Sequence, residues 1–144
     1  MIDYIKENEW SIIEEGFDAS RVMASESIFS IGNGKFGQRA NFEEDYSGES
    51  LFGNYISGIY YPDRTKVGWW KKGYPNYFAK TVNCPVWNSL RISVNDEIVD
   101  LNQCKQVTEF SRELNMKEGW YKRISTVELH NGIKIHIEEA LKRP

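Results

Sequence analysis

The sequence predicts an all-β fold, an antiparallel β-sandwich. Short stretches rich in Ile, Val, Tyr, Phe and Ser alternate with turn signals along the chain. Aromatic residues make up 14% of the 144 residues, and rings are typical of strands because a pleated surface accommodates them. Two hairpins can also be placed in register from side-chain pairing alone, which supports the same fold class.

The first third of the chain is less regular. Residues 2–16 have a weak helical spacing of isoleucines without a clear cap, so we leave their structure unassigned. Residues 27–42 read as a hairpin around Asn33-Gly34, a dipeptide that favours a type I′ turn. Residues 32–37 also match the G-x-G-x-x-G spacing of dinucleotide sites. The residues that follow read as strand and supply no helix N-terminus, so a structural turn is predicted.

Residues 88–101 form a hairpin if Asn95 and Asp96 are its two turn residues. The register then opposes apolar side chains on one face and opposite charges on the other: Leu90 with Leu101, Ile92 with Val99, and Arg91 with Asp100. Residues 107–125 read as two further strands joined near Glu118-Gly119, in a register that the pattern leaves ambiguous.

The last hairpin is better explained by a three-residue loop than by a two-residue turn. A turn at Asn131-Gly132 would mix apolar and polar residues on each face. A loop of His130, Asn131 and Gly132, with the glycine in the left-handed region, gives a consistent register: Leu129 with Ile133, Val127 with Ile135, and Glu128 with Lys134. His136 then lies beside Thr126, so the two histidines do not converge on a metal.

Charge and hydropathy exclude several classes of partner. The net charge of −3 and the pI of about 5.5 provide no basic face for nucleic acid. The apolar runs are too short to span a membrane. The first ten residues carry acids where a secretory signal needs a basic and then an apolar region, so a cytoplasmic location is expected.

Cys84 and Cys104 lack zinc-knuckle spacing and read as reduced thiols, and we expect neither a metal nor a cofactor.

Glu43, Glu44 and Asp45 form an acidic cluster. Carboxylates serve as the acid and base of glycosidic cleavage. However, adjacent side chains on a strand point to opposite faces, so Glu43 and Glu44 cannot both address one sugar. We therefore expect a solvated strand end with local hydrogen bonds.

The segment 68–80, GWWKKGYPNYFAK, is the most unusual in the chain. Rings interleaved with lysines suit stacking on sugars and attraction of phosphate. Its candidate substrate-binding residues are Trp69, Trp70, Lys71, Tyr74 and Tyr77. The alternative is a long loop whose rings pack on their own domain or on a neighbouring one, and the two interpretations are compatible.

Several runs resemble the N-terminal region of glycoside hydrolase family 65, which includes the maltose, trehalose and kojibiose phosphorylases. The runs are ESIFSIGNGKFGQRANFEEDYSG, NYISGIYYPDRTKVGWWKKGYPNYFAKTVN, ISVNDEIVDL and FSRELNMKEGWYKR. The resemblance extends from about Trp10 to about Ile137. The stretch PDRTKVGWWKKGYPNYF is more similar to the maltose phosphorylase branch.

The resemblance implies a large sandwich of the galactose-mutarotase-like (super-sandwich) kind, of which residues 1–144 are an incomplete N-terminal portion. Complete members continue into a catalytic (α/α)6 barrel. There, inorganic phosphate, the co-substrate, attacks the anomeric carbon of an α-linked glucosyl disaccharide with inversion, giving β-glucose 1-phosphate and glucose. The general acid is a glutamate of the barrel, so no residue of this chain inherits a catalytic role, and the chain alone is expected to be inactive.

Three function hypotheses follow. The first is a non-catalytic domain that supplies a scaffold for the barrel, a contact in a homodimer and, through residues 68–80, part of the substrate entrance. The second is a stand-alone carbohydrate-binding module that uses Trp69, Trp70 and Tyr74. The third is part of a family 65 hydrolase such as an acid trehalase. Because an incomplete sandwich leaves sheet edges unpaired, we also expect self-association or low solubility.

Overall fold

The computed structural model describes residues 4–66 and 73–142. The strands in the first half of the chain are β1 (Ile5–Glu7), β2 (Ser11–Glu15), β3 (Ile31–Gly32), β4 (Phe36–Gln38), β5 (Asn54–Ile56) and β6 (Tyr60–Arg64). Those that follow are β7 (Tyr77–Thr81), β8 (Ser93–Val94), β9 (Glu97–Ile98), β10 (Gln106–Asn115), β11 (Trp120–Glu128) and β12 (Lys134–Lys142). A 3₁₀ turn (Ala19–Arg21) leads into helix α1 (Val22–Ile28). Within these two ranges no helix is long and apolar enough to cross a membrane.

A five-stranded antiparallel sheet forms one layer, in the order β1-β2-β10-β11-β12. Strand β11 lies between two long neighbours and alternates strictly between buried and half-buried residues, as expected for a strand with one face on the core. The remaining strands form a three-stranded sheet, β3-β4-β5, and two ribbons, β6-β7 and β8-β9. The predicted all-β class and sandwich architecture are confirmed.

The core lies between the inner face of the five-stranded sheet and the segments that cover it. The larger cluster joins sheet residues to helix α1 and to the chain around β9: Val22, Phe42, Val99, Leu101, Phe110, Val127 and Leu129. A smaller cluster consists of Phe29, Ala40 and Tyr121. Burial of each Val, Leu or Phe side chain stabilises the fold by roughly 1.5–3 kcal/mol, so these two clusters hold the covering segments on the sheet.

The hairpin at Asn95 and Asp96 has the predicted register. Its strands pair Ser93 with Ile98 and Val94 with Glu97, and both turn residues have the positive φ of a type I′ turn, 51° and 63°. The opposite charges of Arg91 and Asp100, which this register was predicted to bring together, bind other partners.

Both charged side chains turn instead to the segment that follows Glu44. Arg91 Nε donates to Asp45 Oδ2 at 2.8 Å, and Asp100 accepts from the backbone N–H groups of Ser47 and Asn102. A loop that is distant in sequence thus outcompetes the cross-strand partner.

The last hairpin also has the predicted register and loop. Val127 pairs with Ile135 and Glu128 with Lys134, the Leu129 N–H donates to Ile133 O at 2.9 Å, and Gly132 has φ 84°. The joint between β10 and β11 lies where it was predicted, with Gly119 at φ 67°.

The hairpin around Asn33 is shorter than predicted and its turn is of another type. Ser27 and Ile28 end helix α1 rather than begin a strand. Gly32 pairs with Gly37, so the central turn residues are Gly34 and Lys35, and only Gly34 has a positive φ, 84°. That pattern is that of a type II′ turn, and the predicted type I′ turn is wrong. The prediction that the glycine motif is a structural turn is confirmed, since a strand follows it.

The isoleucine spacing near the N-terminus does not produce a helix. Residues 4–16 contain the β1–β2 hairpin, which pairs Ile5 with Glu14. Asn8 stabilises its turn, because Oδ1 accepts from the backbone N–H groups of Trp10 and Ser11. Ile5 and Ile12 pack against the smaller core cluster and β2 pairs with β10, so tertiary contacts decide the structure of this segment.

Candidate functional site

Tyr74 and Tyr77, two of the predicted substrate-binding residues, lie on or beside the ribbon of β6 and β7. Every residue of β7 is exposed, and the Tyr77 side chain is 60% exposed. The Tyr74 and Phe78 rings meet edge to face with centroids 6.1 Å apart. The other three predicted residues, Trp69, Trp70 and Lys71, lie outside the described residues.

The described residues of the ribbon are held by backbone pairing and by side-chain contacts across its strands. The Thr65 N–H donates to Asn76 O at 2.9 Å, and Lys80 forms an ion pair with Asp63 across the strands. A two-stranded ribbon exposed on both faces is only marginally stable in water. Its rings are therefore presented outward instead of being committed to the core of this chain.

A second aromatic surface was not predicted from the sequence. A cleft of about 320 Å³ lies beside the β3–β4 hairpin and is lined by Ile31, Gly32, Asn33, Phe36, Gly37, Gln38, Trp87, Leu141 and Lys142. The Phe36 and Trp87 rings meet in it at 79° with centroids 6.1 Å apart. Both side chains are about half exposed, so the cleft is open to solvent and mostly apolar.

The acidic cluster does not form the predicted solvated strand end. Glu44 is buried, and its two carboxylate oxygens accept from Arg123 Nη1 and Nη2 at 2.8 and 2.6 Å. Glu43 accepts from the side-chain amide of Asn88, and Asp45 pairs with Arg91 on the surface. The three carboxylates therefore have three different partners and share no site.

Glu44 belongs to a charged row that crosses the inner face of the five-stranded sheet. At directly opposed positions, Glu14 of β2 faces Arg112 of β10, Arg112 faces Arg123 of β11, and Arg123 faces Glu139 of β12. We refer to Glu14, Arg112, Arg123 and Glu139 as the charged row. Its end pairs are ionic, with Arg112 Nε 2.9 Å from Glu14 Oε2 and Arg123 Nε 2.9 Å from Glu139 Oε2.

The two arginines of the charged row are opposed like charges, which destabilise a sheet when they are unbalanced. The Phe42 ring lies within reach of both guanidinium carbons, 5.5 Å from Arg112 Cζ and 4.9 Å from Arg123 Cζ. Such cation–π contacts are favourable. The carboxylates at both ends and Glu44 from the covering segment supply counter-charges to the two arginines, so the row is a structural network.

Burial changes the acid–base properties of this network. Burial raises the pKa of Glu139 to about 7, although the charge of Arg123 and its hydrogen bond act in the opposite direction. Burial also raises the pKa of Tyr121. For Arg123, burial alone would lower the pKa, but the carboxylates of Glu44 and Glu139 and the hydrogen bond to Glu44 raise it. Arg123 is therefore charged at every accessible pH.

The remaining reactive side chains are dispersed. His130 Nε2 lies 3.0 Å from Gln103 O, whereas His136 Nδ1 lies 3.0 Å from the Thr126 hydroxyl, beside the residue predicted. Cys84 and Cys104 are free thiols, and burial raises the pKa of Cys104, which keeps it protonated. In residues 4–66 and 73–142, no three His, Cys, Asp or Glu side chains are grouped as metal ligands.

The sequence does carry a signal for the charged row. On β11, Tyr121 and Val127 face the core with Arg123 in phase between them, and on β10 Phe110 is in phase with Arg112. Alternate spacing with apolar residues indicates an inward position. The outward positions of β11 also include Trp120 and Ile124, which is why the alternation alone left the register of these strands ambiguous.

Comparison with known proteins gives concordant results. The chain is 43% identical over 135 residues to the maltose phosphorylase of Bacillus subtilis (strain 168), a match that covers 93% of this chain and 18% of that protein. It is 34% identical to a kojibiose phosphorylase of Halothermothrix orenii over 110 residues, which cover 76% of this chain and 12% of that protein. The chain thus spans less than a fifth of the length of these relatives.

A solved structure described as a kojibiose phosphorylase from the human microbiome superimposes with a TM-score of 0.78 at 35% sequence identity. The match covers 94% of this chain and 18% of that one. The family model described as glycosyl hydrolase family 65, N-terminal domain, matches residues 12–141. The chain therefore belongs to glycosyl hydrolase family 65 and corresponds to its N-terminal domain over residues 12–141.

Proposed function

We propose that this chain is a non-catalytic N-terminal portion of a maltose-phosphorylase-like enzyme, in which it supports a downstream catalytic barrel. The observation that carries the proposal is the match to the maltose phosphorylase, which covers 93% of this chain but only 18% of the relative. The carboxylates of the described residues support it as well. Glu14, Glu44 and Glu139 are buried in ion pairs, an arrangement suited to a rigid scaffold rather than to proton transfer at a sugar.

The test is a phosphorolysis assay of this chain alone with maltose and inorganic phosphate. We expect no glucose 1-phosphate, because the general acid belongs to the barrel. The Bacillus subtilis maltose phosphorylase, assayed under the same conditions, serves as the positive control. Production of glucose 1-phosphate by this chain, at a rate proportional to its concentration, would overturn the proposal.

Within that enzyme, the segment 68–80 would contribute to the substrate entrance through Trp69, Trp70, Lys71, Tyr74 and Tyr77. Support comes from the β6–β7 ribbon, which presents exposed rings away from the core of this chain. The competing function is a stand-alone carbohydrate-binding module on the same rings. Titration with maltose, followed by tryptophan fluorescence, separates the two, since saturable binding that is lost in Trp70→Ala would favour the module.

A homodimer and a cytoplasmic location complete the proposed function. In the described part of the chain, β12 pairs with β11 alone over nine residues, and an edge strand of that length offers backbone groups to another chain. Sedimentation velocity of this chain should show self-association at micromolar concentration. A single monomeric species under those conditions would contradict the dimer and self-association proposals.

A further inference from the structure

We propose that the cleft between Phe36 and Trp87 is a binding site for a neutral glucosyl saccharide, distinct from the exposed rings of the segment 68–80. We call it the Phe36–Trp87 cleft, lined as described above. This site is additional to the proposed function. The class of ligand, a glucosyl saccharide, is taken from the names of the relatives, which are maltose, kojibiose and trehalose phosphorylases. The site itself rests on the geometry of the cleft.

The size and lining of the Phe36–Trp87 cleft suit a small ligand. Its volume of about 320 Å³ lies at the lower end of the range found for ligand pockets, roughly 300–1,000 Å³. The walls are apolar and aromatic, from Ile31, Phe36, Trp87 and Leu141, with a few polar side chains among them. That combination is typical of sites that orient a ligand by few hydrogen bonds.

The two rings form a corner. They meet at 79°, and the side chains are 51% and 47% exposed for Phe36 and Trp87. A pyranose has one flat apolar face, which can stack on the indole while its edge contacts the phenyl ring. Both rings are large and adopt few rotamers, so they contribute contact area at a small cost in conformational entropy.

The polar groups of the cleft are amides. The Gln38 carboxamide forms no hydrogen bond within the described residues. The Asn33 oxygen already accepts from the backbone N–H groups of Lys35 and Phe36, which leaves its NH₂ group as a donor. Amides can both donate to and accept from sugar hydroxyls.

The charge of the lining also favours a neutral ligand. No carboxylate lines the cleft within the described residues, and Lys142 at its rim is the one charged lining residue there. A cationic ligand would find no partner, and an anionic one would find a single exposed lysine.

A neighbouring groove allows a ligand longer than one sugar. This groove, of about 510 Å³, shares Gly32, Phe36 and Gly37 with the cleft and continues past Tyr55 and Tyr60. The Phe36 ring therefore stands between two open surfaces. We expect an oligosaccharide of four glucosyl units to bind more tightly than maltose.

The experiment is an NMR titration of the ¹⁵N-labelled chain with maltose, maltotetraose and, as a linear polyol without a flat ring face, sorbitol. Tryptophan-to-phenylalanine variants assign the indole N–H signals. We expect saturable shifts of the Trp87 indole with both saccharides, tighter for maltotetraose, and none with sorbitol. Absence of saturable shifts at Trp87 would overturn the proposal.

Variants locate the site. Trp87→Ala should weaken binding about tenfold or more, equivalent to at least ~1.4 kcal/mol, and Gln38→Leu should weaken it while it preserves side-chain volume. Trp10→Ala is the matched control, because Trp10 is similarly exposed, 44%, and lies outside the cleft. It should leave the affinity unchanged.

Two outcomes would contradict saccharide binding in the Phe36–Trp87 cleft, and neither would affect the proposed non-catalytic role. One is equal affinity of Trp87→Ala and the unmodified chain, with circular dichroism showing that the variant is folded. The other is binding that Trp70→Ala abolishes and Trp87→Ala preserves, which would place the saccharide on the segment 68–80. If Trp87→Ala is unfolded, the affinity of Gln38→Leu for maltotetraose is the deciding measurement. An affinity equal to that of the unmodified chain would overturn the proposal.

Discussion

Arg123 and Glu44 form a two-pronged ion pair in the interior of the protein, although 79 positions separate them in the chain. Arg123 Nη1 and Nη2 donate to the two carboxylate oxygens at 2.8 and 2.6 Å, and both side chains are almost inaccessible to solvent. The pair attaches the segment that covers the core to strand β11 of the five-stranded sheet. Charge-assisted pairs of this geometry are strong and directional.

Removal of the Arg123 guanidinium should strongly destabilise the fold. Arg123→Met leaves Glu44 and Glu139 buried without a counter-charge, so the free energy of unfolding should fall by about 3–5 kcal/mol. Urea denaturation followed by circular dichroism measures this change. The control is Lys122→Met on the same strand, whose pair with Glu138 is exposed and should contribute under about 1 kcal/mol. Equal losses in the two variants would contradict a structural role for the charged row.

Glu139 should make the stability depend on pH. Its folded pKa of about 7 lies above the ordinary value of 4.5, so the folded state binds the proton more tightly than the unfolded chain. The contribution of this group is therefore complete below about pH 4.5 and is lost as the pH rises through about 7. The loss amounts to up to about 3 kcal/mol.

The measurement compares the free energy of unfolding at pH 5 and pH 8 in the unmodified chain and in Glu139→Gln. The glutamine cannot titrate, so the variant should lose less stability over this interval. Parallel pH profiles for the two proteins would show that Glu139 titrates near its ordinary pKa.

The turns of the β8–β9 and β3–β4 hairpins should respond oppositely to substitution by glycine. Asp96 has φ 63° in its type I′ turn, a conformation in which glycine is favoured, so Asp96→Gly should raise the free energy of unfolding by several tenths to about 1 kcal/mol. Lys35, at the second central position of the other turn, has no positive φ. Lys35→Gly should therefore lower stability by up to about 1 kcal/mol. Thermal unfolding of both variants measures these changes in stability. Higher stability of Lys35→Gly than of the unmodified chain would refute the type II′ assignment.

Hydrogen exchange should separate the five-stranded sheet from the β6–β7 ribbon. Amides of β11 are paired on both sides and lie over the core, so they should exchange only through near-global unfolding. Among the described residues, β7 pairs with β6 alone, and its side chains are exposed on both faces. The amides of β7 should exchange orders of magnitude faster, and comparable protection in β7 and β11 would indicate that the ribbon is covered, for example by self-association.

The hairpins were the part of the fold most accessible to sequence reasoning. For the loop at His130–Gly132, the apolar pairs and the Glu128–Lys134 pair agree on one register, and the structure has that register. Around Asn33 the same approach predicted the wrong turn type. Asn33 precedes the two central turn residues, and its side-chain oxygen accepts from the backbone N–H groups of Lys35 and Phe36. Turn type depends on a one-residue offset that short strands do not specify.

Of the two candidate sites, one could be anticipated from the sequence and the other could not. The exposed rings of Tyr74 and Tyr77 could be anticipated from composition, since a segment so rich in rings and cations is poorly suited to a core. The Phe36–Trp87 cleft could not, because its two rings lie 51 positions apart in the chain and on segments that do not pair with each other. Proximity of that kind is created by the packing of the β3–β4–β5 sheet against other parts of the fold.

The sequence by itself determined the all-β class, the membership in the family and the registers of hairpins whose strands are neighbours along the chain. The fold class and the registers depend on alternation and turn chemistry within about fifteen residues, which local side-chain patterns encode, whereas the family membership rests on resemblance along nearly the whole chain. Only the tertiary structure decided that Glu44 is buried rather than solvated. A carboxylate can leave water when a cation with suitable geometry compensates for lost hydration, and Arg123 reaches Glu44 only after the sheet and its covering segment have come together.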